Sequence, residues 1–120
     1  MERDKNYFPD NPLGNTVWQA VNKFGEEVIN QQLEIEFSVL FPSEQQALKF
    51  GQLLLENGQK LSFSTYEANP AFPWEITAYP TMPFSVENIM AYQQLLEQHC
   101  TAFEGQYDGW YCPALELGLE

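Results

Sequence analysis

Residues 33–41 read Leu-Glu-Ile-Glu-Phe-Ser-Val-Leu-Phe, and this stretch decides the fold class of the chain. Apolar residues recur at every second position, with Glu34, Glu36 and Ser38 between them. Because successive side chains of a strand point to opposite faces, this period of two predicts one strand with a buried face and a wet, acidic face. Pro42 has no backbone N–H to donate, so we expect the strand to end there.

Two long helices are predicted on the C-terminal side of this strand. Residues 43–46, Ser-Glu-Gln-Gln, have the form of a capping box, and Asn57-Gly58 is typical of a left-handed helix end. Ser85 is a second N-cap, which begins a helix over about 86–103 that stops before Gly105. A shorter helix over 16–24 is predicted upstream, with Asn15 or Thr16 as its N-cap.

Alternating patterns predict further strands over 61–66, 74–79 and 106–111, the last interrupted by Asp108-Gly109. After the first helix the order is βαββαβ, which predicts an α+β, ferredoxin-like domain: a four-stranded antiparallel sheet with both helices on one face. We expect the other face to carry Glu34, Glu36, Ser38, Ser62, Ser64, Glu75 and Thr77.

The length of 120 residues fits one domain. We expect an irregular N-terminal arm over 1–12, the single domain over 13–114 and a tail over 115–120. Residues 119–120 are interpreted as a cloning remnant and set aside.

Charge is the strongest global signal, since 5 Lys and Arg face 17 Asp and Glu, a formal net charge of −12. Such a charge repels phosphate backbones and anionic membranes and attracts basic proteins. The alternative is that acidity only keeps a small domain soluble. No apolar run is long enough for a membrane helix, and residues 1–5 do not resemble a signal peptide, so a cytoplasmic location is expected.

Catalytic and metal-binding patterns are missing from the sequence. Cys100, Cys112 and His99 are too few for a structural zinc site, and no nucleophile–base pair is evident. We therefore expect no cofactor, no metal and no enzymatic activity. Glu34, Glu36 and Glu75 would suggest acid–base chemistry only if they met at short range, whereas a solvated strand face explains them equally.

The end of the predicted domain resembles a known family. Tyr107-Asp108-Gly109-Trp110 is similar to the ending of the RraB family, regulators of ribonuclease E activity, and residues 8–10, 14–15 and 24–25 with Trp18 resemble its stand-alone members. The resemblance implies a bacterial, ferredoxin-like domain that binds ribonuclease E and restrains it without doing chemistry. The chain departs in two ways from the regulator that gives the family its name: it lacks that protein's long acidic tail, and it has the segment over 8–25, much of which that protein lacks.

Six residues are predicted to contact a protein partner, either ribonuclease E or another basic protein: Tyr107, Asp108, Trp110, Glu34, Glu36 and Glu75. For the motif over 107–110 the structural alternative is a turn or bulge flanked by two packed aromatic rings. The alternative function is a small-ligand-binding or enzymatic ferredoxin-like domain with a polar pocket. A dimer formed through the sheet face is a third hypothesis, and the oligomeric state stays open.

Overall fold

The computed structural model describes residues 2–119, so Met1 of the predicted arm and Glu120 of the predicted tail lie outside the described residues. Within that range the chain forms three α-helices: α1 (Pro12–Phe24), α2 (Glu44–Glu56) and α3 (Val86–Cys100). It also forms seven strands: β1 (Gln32–Glu34), β2 (Glu36–Phe41), β3 (Leu61–Thr65), β4 (Trp74–Ala78), β5 (Thr81–Pro83), β6 (Gln106–Cys112) and β7 (Leu117–Leu119). Short 3₁₀ turns follow α1 and α3, at Glu26–Val28 and Thr101–Phe103.

The main sheet is antiparallel and has five strands in the order β3-β4-β2-β6-β7, instead of the four that the sequence predicted. The additional strand is β7, which lies in the segment expected to be a tail. It pairs with β6 through Leu117 opposite Cys112 and Leu119 opposite Trp110. Leu119, one of the two residues that we set aside, is therefore part of an edge strand of the sheet.

The long strand predicted over 33–41 is divided into β1 and β2, which corrects that prediction. β1 pairs with β5 in a separate two-stranded sheet, although both ladders keep one register: the pair Glu34–Thr81 continues the pair Phe37–Ala78. At the break Ile35 donates its N–H to the carbonyl of Pro80 at 2.9 Å. Because Pro80 has no N–H to return, the regular ladder is interrupted there.

Side-chain caps explain where the helices begin. Ser43 accepts a hydrogen bond from the Gln46 N–H at 3.2 Å, and Ser85 accepts one from the Asn88 N–H at 3.1 Å, as predicted for α2 and α3. The start predicted for α1 is wrong by one turn. Asn11 is its N-cap and Pro12 its first residue, a position where proline's missing N–H costs nothing.

The core lies between the sheet and the helices α2 and α3, which pack on the same face of the sheet. The Phe41 ring lies 5.2 Å from Phe50 of α2, and the Phe37 ring lies 4.6 Å from Tyr92 of α3. Phe37, Val39 and Phe41 are all buried, as their alternation predicted. We call this the covered face and the opposite one the open face.

The N-terminal arm is tied to the domain by one cation. Arg3 donates hydrogen bonds to the carbonyls of Phe8 and Pro9 and to Oδ1 of Asn15, at 3.0, 2.8 and 2.6 Å. Phe8 is buried, and its ring lies 5.1 Å from that of Trp18. The arm therefore contributes an aromatic side chain to the core.

Candidate protein-binding site

The open face carries the polar positions of the central strands, as the sequence predicted for six of the seven residues named. Thr77 lies between Ser38 and Ser62, and Glu75 lies between Ser64 and Leu40, so one buried leucine interrupts the polar side chains of this face. The seventh residue, Glu34, lies in β1 beyond the break in the ladder. It forms an exposed ion pair with Lys60, with 3.2 Å between Nζ and Oε2.

Three carboxylates from three different strands line one cleft of about 140 Å³ on the open face. They are Glu36 of β2, Glu75 of β4 and Asp108 of β6, and the remaining lining comes from Ser38, Tyr66, Gly109, Trp110 and Tyr111. The sequence interpretation missed Tyr66 and Tyr111. Tyr111 lies two residues after Gly109 on β6, and this spacing is the sequence signal that places both on one face. In the structure Tyr111 lies opposite Glu36 on the open face and is 45% exposed.

A β-bulge places Asp108 in this cleft. The pairing register of β2 and β6 shifts between Ser38 and Val39, and Gly109 has a φ of 127°, a value that residues with a side chain rarely adopt. In a regular strand Tyr107 and Trp110 would point to opposite faces. With the bulge, both lie on the covered face, opposite Val39 and Phe37.

Burial and a like charge act on Glu75. Desolvation raises the pKa of its carboxyl, and the nearby Asp108 carboxylate raises it further. Hydrogen bonds from Ser38 and Ser64 act in the opposite direction. This arrangement favours a positive group near the cleft, since a cation would offset both the repulsion and the lost hydration.

The two aromatic residues of the predicted site lie under the open face, not on it. Trp110 is 3% exposed, and its ring lies 6.5 Å from that of Phe84. Burial raises the pKa of the Tyr107 hydroxyl above its ordinary value. Within the described residues the Tyr107 Oη and the Trp110 Nε1 have no hydrogen-bond partner. Their packing fixes the strand on both sides of the bulge.

A second cleft of about 300 Å³ lies between the end of α2 and the face of α3. Half of its lining residues are leucines, and the other half are Asn57, Gln59, Tyr92 and His99. Tyr92 donates its hydroxyl to Gln59 Oε1 at 3.0 Å, and burial raises the pKa of Tyr92 to about 12. The tyrosine is therefore a neutral, already paired group at neutral pH.

Among residues 2–119, no group of three or more His, Cys, Asp or Glu side chains is placed to hold a metal ion. Cys100 and Cys112 are both buried free thiols, and burial is the main cause that raises the pKa of each. In the same part of the chain, no helix has the length and apolar character needed to cross a membrane.

Comparison with known proteins identifies the family. Curated proteins gave no match to this chain. A family model described as "Regulator of ribonuclease activity B" matches residues 15–112, which run from within α1 to the end of β6 and include the bulge and all three carboxylates of the cleft. The chain therefore belongs to the RraB family, whose description is that of a regulator of ribonuclease activity.

Proposed function

We propose that this chain is a non-catalytic regulator that binds ribonuclease E through the open face of its sheet. The observation that carries the proposal is the convergence of Glu36, Glu75 and Asp108 in one cleft on the uncovered face. The formal net charge of −12 supports a basic partner surface, because long-range attraction raises the association rate. Family membership supports a protein partner that degrades RNA.

The six predicted site residues have different roles in this proposal. Glu36, Glu75 and Asp108 contact the partner, and Glu34 forms a further contact beyond the break in the ladder, where it is paired with Lys60. Tyr107 and Trp110 act from the covered side, where their packing holds the bulge that presents Asp108. The partly buried Tyr107 and the buried Trp110 thereby support the interface without touching the partner.

The proposal also includes a fold class and a cellular location. The order β3-β4-β2-β6, with α2 and α3 on one face, supports a ferredoxin-like unit over residues 13–114, to which the arm and β7 are added. The proposed location is the cytoplasm, a reducing compartment that suits two buried free thiols. RNA is an unsuitable direct ligand for the open face because its phosphates would meet three carboxylates.

The test measures binding and regulation together. Immobilised ribonuclease E is titrated with the wild-type chain, with a triple variant of the cleft (Glu36→Gln, Glu75→Gln, Asp108→Asn) and with a control triple variant at exposed sites elsewhere (Glu26→Gln, Glu56→Gln, Glu87→Gln). Cleavage of a labelled RNA by the ribonuclease is followed in parallel.

We expect the cleft variant to bind roughly tenfold or more weakly and to lose its effect on cleavage, because charged interface contacts are removed. The control loses the same net charge and should change binding by less than about threefold at moderate salt. Equal binding by the two variants would place the interface elsewhere. Failure of the wild-type chain to bind ribonuclease E would remove the proposal.

The small-ligand alternative depends on the cleft between α2 and α3. Its polar groups are few, and its tyrosine is already bonded to Gln59. This lining supports an apolar contact better than an enzymatic site, which would need converging reactive groups. A metabolite that raised the melting temperature of the wild-type chain but not of a Leu53→Gln variant would favour the alternative.

A further inference from the structure

The sheet ends at β3, a strand with one unpaired edge. β3 is five residues long, and its only strand neighbour among the described residues is β4. Strands at a sheet edge are usually protected by Lys, Pro or a bulge. β3 reads Leu-Ser-Phe-Ser-Thr and has no charged residue, no proline and no shift in its pairing register.

The direction of the β3 backbone groups follows from the hydrogen bonds at the two ends of the β3–β4 ladder. Tyr66 donates its N–H to Pro73 at 2.7 Å, and Tyr79 donates its N–H to Lys60 at 2.9 Å. In an antiparallel ladder, bonded and non-bonded pairs alternate, and the register here is unbroken. The even-numbered residues therefore face β4, and the N–H and C=O groups of Leu61, Phe63 and Thr65 point outward. In residues 2–119, no backbone bond from a loop reaches these three residues.

The side chains beside the free edge differ on the two faces of the sheet. On the covered side Phe63 is 37% exposed and stacks on Trp74, with 5.4 Å between centroids and 10° between ring planes. On the open side lie Ser62 and Ser64, and Ser64 contacts Glu75 at 3.5 Å. An added strand would lie two strand spacings, about 9.6 Å, from the Glu75 backbone. Charges farther apart than about 8 Å are largely screened at physiological salt, so a long Lys or Arg side chain of the added strand has to reach back over Ser64 towards the Glu75 carboxylate.

We infer that β3 takes up an extended segment of a protein partner as a sixth strand, with apolar residues alternating with Lys or Arg. Its apolar side chains would cover the Phe63–Trp74 stack, and its basic side chains would lie beside the acidic open face. Main-chain bonds to the three outward residues would supply affinity, and the alternation would supply specificity. A second copy of the chain is disfavoured as the occupant because each copy carries −12.

This inference rests on the proposed function for its biological partner, since it states which kind of ribonuclease segment would bind at β3. The other edge strand, β7, is less suitable. It has only three residues and is contacted by α1. A long uncharged edge beside an exposed aromatic stack is found only at β3 in the part of the chain that the structure describes.

The first test uses a nine-residue peptide of alternating valine and lysine with blocked ends. The control peptide has the same composition, but its alternate backbone amides are N-methylated so that they cannot donate. We expect the first peptide to bind at least roughly tenfold more tightly, because two or three main-chain hydrogen bonds separate the two. A peptide with glutamate in place of lysine should not bind measurably. Equal binding of the two lysine peptides would overturn the inference.

Amide hydrogen exchange on the wild-type chain locates the contact without any variant. Addition of the valine–lysine peptide should slow exchange at Leu61, Phe63 and Thr65 more than at Ser62 and Ser64, which already bond to β4. Protection elsewhere, with none at β3, would contradict the inference. Protection at β3 that rises with protein concentration alone would make a second copy the occupant and would also overturn it.

Two variants at Thr65 test whether the β3 edge also contributes to the binding of ribonuclease E. Thr65→Pro removes one outward N–H and leaves the β4 ladder intact, whereas Thr65→Val keeps that N–H and a β-branched side chain. We expect Thr65→Pro to weaken binding of both the peptide and ribonuclease E by roughly tenfold, with Thr65→Val near wild type. If Thr65→Pro binds both as tightly as Thr65→Val, the inference fails while the proposed function stands. If the wild-type chain binds the peptide but not ribonuclease E, only the proposed function fails.

Discussion

The two faces of β2 differ in what their side chains do for the molecule. On the covered face Phe37, Val39 and Phe41 are buried against α2 and α3. On the open face Glu36 lines an acidic cleft. Since these residues alternate along one strand, the side chains of the core and those of the proposed binding face are separated by a single step in sequence. The comparison teaches that a change at Glu36 should leave stability nearly untouched, whereas Leu40, on the same face, is buried and should not tolerate truncation equally well.

The largest expected effect is on the covered face. Phe41→Ala should reduce the free energy of unfolding by about 3–5 kcal/mol, because it leaves a cavity against the Phe50 ring. Urea unfolding followed by circular dichroism measures the loss. Glu36→Ala, on the open face of the same strand, should change stability by less than about 1 kcal/mol. Similar losses in the two variants would show that the open face is also part of the core.

An added methyl group gives the second contrast. A Cβ at position 105 would lie 2.7 Å from the Phe41 ring and 2.9 Å from Cys100 Cβ. Gly105→Ala should therefore destabilise the chain by about 1–3 kcal/mol. Ser64→Thr adds a methyl group at an exposed position of the open face and should change stability by less than about 0.5 kcal/mol. If Gly105→Ala did not change the melting temperature, Phe41 and Cys100 would have to move aside at little cost.

The smallest effect concerns the ionisation of Glu75. Because burial raises the pKa of this carboxyl above the ordinary 4.5, its ionised form weakens the fold at neutral pH. The penalty disappears as the pH falls through the raised pKa. Glu75→Gln should therefore be more stable than wild type at pH 7, by less than about 1 kcal/mol, and the difference should shrink by pH 4. Melting temperatures across this range measure it. Glu67→Gln, at an exposed loop carboxylate, controls for the loss of one charge, and an equal gain there would contradict the assignment to Glu75.

The local signals in the sequence predicted the elements well. The caps at Ser43 and Ser85 were read correctly because each depends on residues within one turn. The alternation of β2 likewise assigned its two faces. The break before Glu36 was missed because it is caused by Pro80, which lies far away in sequence and acts only through pairing. β7 was missed because three residues are too few to show a periodic pattern.

The sequence showed which acidic residues share a face of the sheet, but it did not show how close they lie to one another. Glu36 and Glu75 were assigned to one face from their strands alone. Their approach to Asp108 depends on the bulge, which changes the face of every residue beyond it. The same bulge explains why Tyr107, which is partly buried, and Trp110, which is buried, both lie on the covered face. An Asp-Gly pair signals an irregularity, but the direction in which it turns the chain is decided by the partner strand.

The hydrogen bonds of Arg3 to Phe8, Pro9 and Asn15 have a practical consequence for handling the protein. If the residues before Phe8 were cleaved or displaced, that ring would lose its tether and the surface around Trp18 would become accessible to solvent. Newly accessible aromatic surface promotes aggregation, which net negative charge otherwise opposes. The Arg3 guanidinium therefore helps to keep the protein soluble, because it holds Phe8 in place over Trp18.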